Sequence, residues 1–88
     1  MEISKTCMKA VTLFGNEHQI MKAIEEMGEL TTALIQYRDG RVTPEDVETE
    51  IADVRIMMEQ LAFIFDEDFV DLEYRRKLDR LKNTLDNL

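Results

Sequence analysis

Two long stretches of apolar residues at helical spacing, joined by the short segment Asp39-Gly40-Arg41-Val42-Thr43-Pro44, constrain this chain more than any other feature. The first stretch, Glu17 to about Arg38, carries Ile20, Ile24, Met27, Leu30, Leu34 and Ile35. The second carries Val47, Ile51, Val54, Met58, Leu61 and Phe65. A stripe recurring every three to four residues is the signature of an amphipathic helix. Asp39-Gly40 supplies a helix stop, and Thr43-Pro44, followed by Glu45 and Asp46, supplies a helix start against the dipole. Each helix spans about 20 residues, or roughly 30 Å. So short a connection makes them antiparallel neighbours.

Two further helices flank this hairpin. One runs from about Ile3 to Leu13, with Cys7, Ala10, Val11 and Phe14 in its apolar set. Gly15 interrupts it, and Asn16 with Gln19 reads as the capping box of the next helix. The other follows Asp66-Glu67-Asp68 and runs from about Phe69 to Leu85, with Leu72, Leu78 and Leu81. Only three glycines and one proline interrupt the chain, and no window alternates long enough to predict a strand. The expectation is a single all-α domain over residues 1–88, a helical hairpin with flanking helices. With 88 residues one chain builds only a modest core, so homo-oligomerisation is expected to complete the bundle.

Nineteen acids against eleven bases give a net charge of -8. That disfavours a nucleic-acid polymer as partner, because a phosphate backbone demands a basic surface. No apolar run approaches the ~20 residues that span a bilayer, and residues 1–10 lack a signal-peptide core. One cysteine, Cys7, allows no intrachain disulfide. A cytoplasmic protein is expected.

Some of the acids stand where a solvated surface would not put them. Glu25-Glu26-Met27-Gly28-Glu29 lies in the second helix and Glu50-Ile51-Ala52-Asp53 in the third. Acids three apart share a face and repel. On a helical wheel Glu50 falls inside the apolar arc, beside Val54 and Met57, and Asp53 lies at its edge. Glu26 and Glu29 flank the stripe of their own helix, and Glu25 points further outward. Counting from Arg41 as the midpoint of the turn brings Glu29 level with Asp53, so four carboxylates are expected to converge. A buried carboxylate has to be neutralised, paired or metal-bound. Clustered oxygen donors without cysteine or histidine suit a hard cation such as Mg²⁺, with Mn²⁺ as a substitute. The competing reading is an ordinary solvated acidic face, with Lys22 paired to Glu26 four residues on.

These two motifs, in the stretches Lys22–Leu30 and Glu50–Leu61, resemble the all-α nucleotide pyrophosphohydrolases of the MazG type, relatives of the dimeric dUTPases. The likeness covers about half the chain. It implies Mg²⁺-dependent cleavage of a nucleoside triphosphate between the α and β phosphates, in a homodimer or homotetramer. It implies Glu26, Glu29, Glu50 and Asp53 as metal ligands, and Glu25 with Glu26 as catalytic acids. Basic side chains must hold the phosphate tail, and Lys22, Lys77 and Arg80 are the candidates; Lys77 and Arg80 are three apart on one helix. The alternatives are a solvated basic run for the last helix and, for the whole chain, a non-enzymatic helical interaction module. A di-iron bundle needs Glu-x-x-His pairs, which a chain with His18 alone does not supply. His18 reads as an exposed helix start, Cys7 as a small buried hydrophobe, Met21, Met27, Met57 and Met58 as core and interface filler, and most of the aromatic residues as core.

Overall fold

A computed structural model describes residues 3–88. They form four helices: α1 (Ile3–Phe14), α2 (Asn16–Arg38), α3 (Pro44–Ile64) and α4 (Glu67–Asp86). The fold is all-α, with no strand among the described residues. Helix α2 packs along α3, and α1 lies against both. Gln19 bonds to Gln60 near one end of the α2–α3 pair, and Glu29 meets Glu50 further along, so the two helices run antiparallel.

The α2–α3 connection is built as its residues dictate. Gly40 sits at φ 74, the left-handed region glycine enters without a Cβ clash, and its N–H and that of Arg41 return to Tyr37 and Gln36 carbonyls. Thr43 is extended and closes a reciprocal capping box with Asp46. Thr43→Ala is therefore expected to cost about 1 kcal/mol, lowering the melting temperature by about 4–8 °C in a thermal melt.

The start of α2 departs from expectation. Asn16 is the first helical residue and not a cap; Gly15, at φ 92, is the cap and provides no side-chain bond. One glycine suffices to break α1 from α2, because its positive φ redirects the chain within a single residue. Helix α4 starts earlier than expected, at Glu67, because the Asp66 side chain accepts from the Phe69 N–H.

The packed faces are also rotated from the apolar stripes. Helix α2 gives α3 Gln19, Ala23, Glu26 and Ala33, which are buried, with Leu30 half-buried. Ile24, Met27, Leu34 and Ile35 stay exposed. Helix α3 buries Val47, Met57 and Gln60, half-buries Glu50, Val54 and Leu61, and leaves Ile51 and Met58 exposed, as is Phe65 just past its end. The alanines let the helices approach closely, since interaxial distance follows the size of the side chains at the seam. Cys7 and Val11 of α1 are buried as expected, and Cys7 Sγ lies 3.8 Å from the Ile56 carbonyl. Aromatic residues do not build the core: Phe14, Phe65, Phe69, Tyr37 and Tyr74 are exposed, and Phe63 is half-buried. Among the described methionines Met57 alone is buried, while Met8, Met21, Met27 and Met58 are exposed. Every apolar side chain of α4 from Phe69 to Leu85 is exposed, and α4 packs against α3 alone.

Candidate acidic metal site

The α2–α3 seam brings acids together because both helices place one on the packed face. Glu26 is 9% exposed, flanked along its face by Ala23 and Leu30, and Glu50 is half-buried one turn beyond Val47. Glu29, one turn from Glu26, is exposed at the edge. Carboxylate oxygens of Glu26, Glu29 and Glu50 lie within 4.8 Å of one another. Oε2 of Glu26 and Oε2 of Glu50 are buried with no hydrogen-bond partner. Such groups are rare in folded proteins, and each calls for a missing partner.

Lys22 Nζ stands 3.4 Å from Glu26, the local pair expected from their i,i+4 spacing. It leaves the cluster net negative, with one cation for three carboxylates. The charge of Glu26 raises the Glu29 carboxyl above the ordinary glutamate value; hydrogen bonding to Glu26, desolvation and Glu50 add to this, and Lys22 opposes it. Three acids at this spacing thus repel, and two of their oxygens lack donors, the condition a divalent cation relieves. The oxygen-only donor set fits Mg²⁺ or Mn²⁺.

The cluster opens into a cleft of about 810 Å³ lined by Glu25, Gly28, Glu29 and Thr32 of α2 and by Val42, Asp46, Thr49 and Glu50 on the other side. Ligand clefts generally occupy about 300–1,000 Å³. Glu25 and Glu29 thus stand in the wall of a cavity large enough for a nucleotide.

The other candidate residues lie elsewhere. Asp53 is half-buried one turn beyond Glu50 and is not part of the three-carboxylate cluster. The register differs from a count centred on Arg41: Glu50, not Asp53, comes against Glu29. Thr43 is extended, and an extended residue advances about 3.3 Å where a helical one advances 1.5 Å, so α3 enters the hairpin lower than symmetric counting places it. Lys77 and Arg80 sit on α4, which does not touch α2, so the chain itself does not bring them against Glu26 and Glu29. His18 is exposed as expected; it packs on the Phe14 ring at 5.8 Å and bonds Gln19 at 2.7 Å.

Sequence reasoning missed Thr32, Asp46 and Thr49 as cleft residues. Their signal was present: Thr32 follows Gly28 and Glu25 at helical spacing on the flank of α2 that Glu29 shares. Gly28 itself crowds nothing, as a Cβ built there meets no atom within 4 Å. Gly28→Ala is therefore expected to stabilise the chain by about 1 kcal/mol through helix propensity. A melt showing a loss instead would mean that the glycine serves packing absent from the single chain.

Compared with protein-family models, with curated proteins and with solved structures, the chain matches none of them.

Proposed function

We propose that this protein is a divalent-metal-dependent nucleoside triphosphate pyrophosphohydrolase, working as a cytoplasmic homo-oligomer. One observation carries the reading: Glu26 and Glu50, on different helices, each bury a carboxylate oxygen with no hydrogen-bond partner, and carboxylate oxygens of Glu26, Glu29 and Glu50 lie within 4.8 Å of one another, with Glu29 and Glu50 lining a cleft of about 810 Å³. A fold gains nothing from that arrangement without a cation. The likeness of the two acidic motifs to MazG-type enzymes points the same way.

In this reading Glu26, Glu29 and Glu50 would hold Mg²⁺ or Mn²⁺, with Asp53 the further acid that the likeness to MazG-type enzymes implies. The bound metal supplies charge neutralisation on the phosphates and a lowered pKa for a coordinated water. The chain's own groups do the rest. Glu25, on the cleft wall, accepts the proton of the attacking water. Lys22, at 49% side-chain exposure beside Glu26, offers its remaining donors to the phosphate tail. Attack at the α phosphorus breaks its bond to the bridging oxygen, and the products are a nucleoside monophosphate and pyrophosphate.

A phosphate-release assay tests this, using a panel of NTPs and dNTPs, Mg²⁺ and added inorganic pyrophosphatase, with Glu50→Gln alongside. Release that needs both Mg²⁺ and the coupling enzyme and disappears in the variant is the expected result. No release from any nucleotide, together with no Mg²⁺ effect on melting, rejects it. That outcome would favour the second reading, a helical interaction module. Its support is the exposed apolar surface on α2, α3 and α4, but it leaves the orphaned oxygens of Glu26 and Glu50 unexplained.

A further inference from the structure

The chain exposes far more surface than a folded monomer of its mass. Its accessible area is 7226 Å² for 10.3 kDa, where the scaling for compact monomers gives about 5,400 Å². Its radius of gyration is 15.7 Å, against about 12 Å for a compact domain of this length. The excess of roughly 1,900 Å² per chain, doubled, falls within the ~2,000–5,000 Å² buried by obligate homodimers.

Two surfaces account for much of it. On a wheel of about 100° per residue, Ile24, Met27 and Leu34 of α2 and Ile51 and Met58 of α3 fall on one side of the hairpin. Glu25, Glu29, Thr32, Asp46 and Thr49 fall on the other, so the apolar face and the cleft are back to back. The second surface is the row Tyr74, Leu78, Leu81 and Leu85 of α4, spaced by four, three and four residues and exposed throughout. That spacing is a helix-packing seam.

Charge decides which surface meets which. Between Tyr74 and Leu85 the charged residues flanking the α4 row are Arg75, Lys77 and Lys82. Pairing α4 with α4 would set these bases against one another in either orientation, which like charges resist. Residues 16–64, the hairpin, carry eleven acids against four bases. Glu17 and Glu48 border its apolar face, with Arg38 and Arg55 as the opposing charges, and Glu59 lies toward α1 near Ile3 and Cys7. A basic-edged seam fits an acidic hairpin, and both belong to this one chain.

We infer that α4 is an exchanged arm, docking across the apolar face of the α2–α3 hairpin of a second copy, and that the exchange is reciprocal. A two-fold axis then covers both surfaces in each copy. The cleft stays open, since it lies on the opposite side. The inference rests on the homo-oligomer in the proposed function and not on the chemistry of the acidic cluster.

The test is sedimentation velocity on wild type, on Leu78→Glu/Leu81→Glu and on Ile24→Glu/Met27→Glu, with circular dichroism as the folding check. All four positions are exposed within the chain, so helix content should hold. Wild type is expected to be dimeric or larger, and each double variant should weaken association about 100-fold or more. In a Cys7→Ser background, mixing Leu81→Cys chains with Ile24→Cys chains should give a disulfide-linked heterodimer. A monomeric wild type overturns the inference and the homo-oligomer together. A dimer lost on changing the hairpin but indifferent to the α4 changes overturns the inference alone, since it sets hairpin against hairpin. Neither outcome touches metal binding, which is measured separately.

Discussion

Glu50→Leu should make the metal-free protein more stable while abolishing the hydrolytic activity proposed above. Glu50 stands in an apolar arc with one oxygen buried and unpartnered, beside two other carboxylates. Replacing a buried, unsatisfied acid by an apolar residue of similar volume is stabilising by about 1–4 kcal/mol. A domain of this size gains about 4–8 °C in melting temperature per kcal/mol. Activity should fall at least about 100-fold, since even outer partners of metal ligands produce losses approaching that. A thermal melt in EDTA and the coupled assay read the two effects. A destabilised variant would mean that Glu50 has a structural partner, and full activity would remove it from the site.

The same repulsion sets a pH dependence. The Glu29 carboxyl is raised by Glu26 in the folded chain, so the native state holds its proton more tightly than the unfolded state. Stability of the metal-free protein then falls as pH rises through the raised value, and is recovered below the ordinary glutamate range. Melting temperature should increase as the pH falls toward the ordinary glutamate range, and Glu29→Gln should flatten that rise.

Gln60→Ala is the second large effect, and its sign is opposite. Gln60 is 4% exposed and Gln19 5%, and Gln19 Nε2 donates to Gln60 Oε1 at 2.7 Å. Gln60 Nε2 faces the Met57 sulfur at 3.8 Å. Removing one amide strands the other, and a stranded buried donor costs about 1–3 kcal/mol, before the cavity is counted. A loss of about 8 °C or more in melting temperature is expected. Replacing both residues by leucine should return most of it, because no polar group is then left unpaired. A double-mutant cycle on the two positions measures the coupling, and strict additivity of the single losses would refute the pairing.

This pair also shows where sequence reasoning stopped. The α3 start was legible because Thr43, Pro44 and Asp46 form a cap from local bonds alone. The four helices and the place of Glu50 in the apolar arc were legible because helical periodicity alone fixes a residue's bearing. The packed face of α2 was not. Ranking residues by apolarity puts Ile24, Met27 and Leu34 inward, yet the chain packs Gln19, Ala23, Glu26 and Ala33 there. Two glutamines that satisfy each other and two alanines that admit a neighbouring helix outweigh larger side chains, and neither fact is visible until a partner helix is in place. The register of the acids was missed for a similar reason, since the rise of the connecting residues depends on their conformation. Lys77 and Arg80 were judged from a shared face of α4, which says nothing of where that helix lies.

The central proposal is a divalent cation held by Glu26, Glu29 and Glu50. Titration of metal-stripped protein with Mn²⁺, following the free ion by electron paramagnetic resonance, tests it most directly, with Mg²⁺ added as competitor and Glu50→Gln as control. The expected result is saturable loss of the free-ion signal in wild type, reversed by Mg²⁺ and absent in Glu50→Gln. An unchanged free-ion signal in wild type, or equal binding by the variant, would contradict the account.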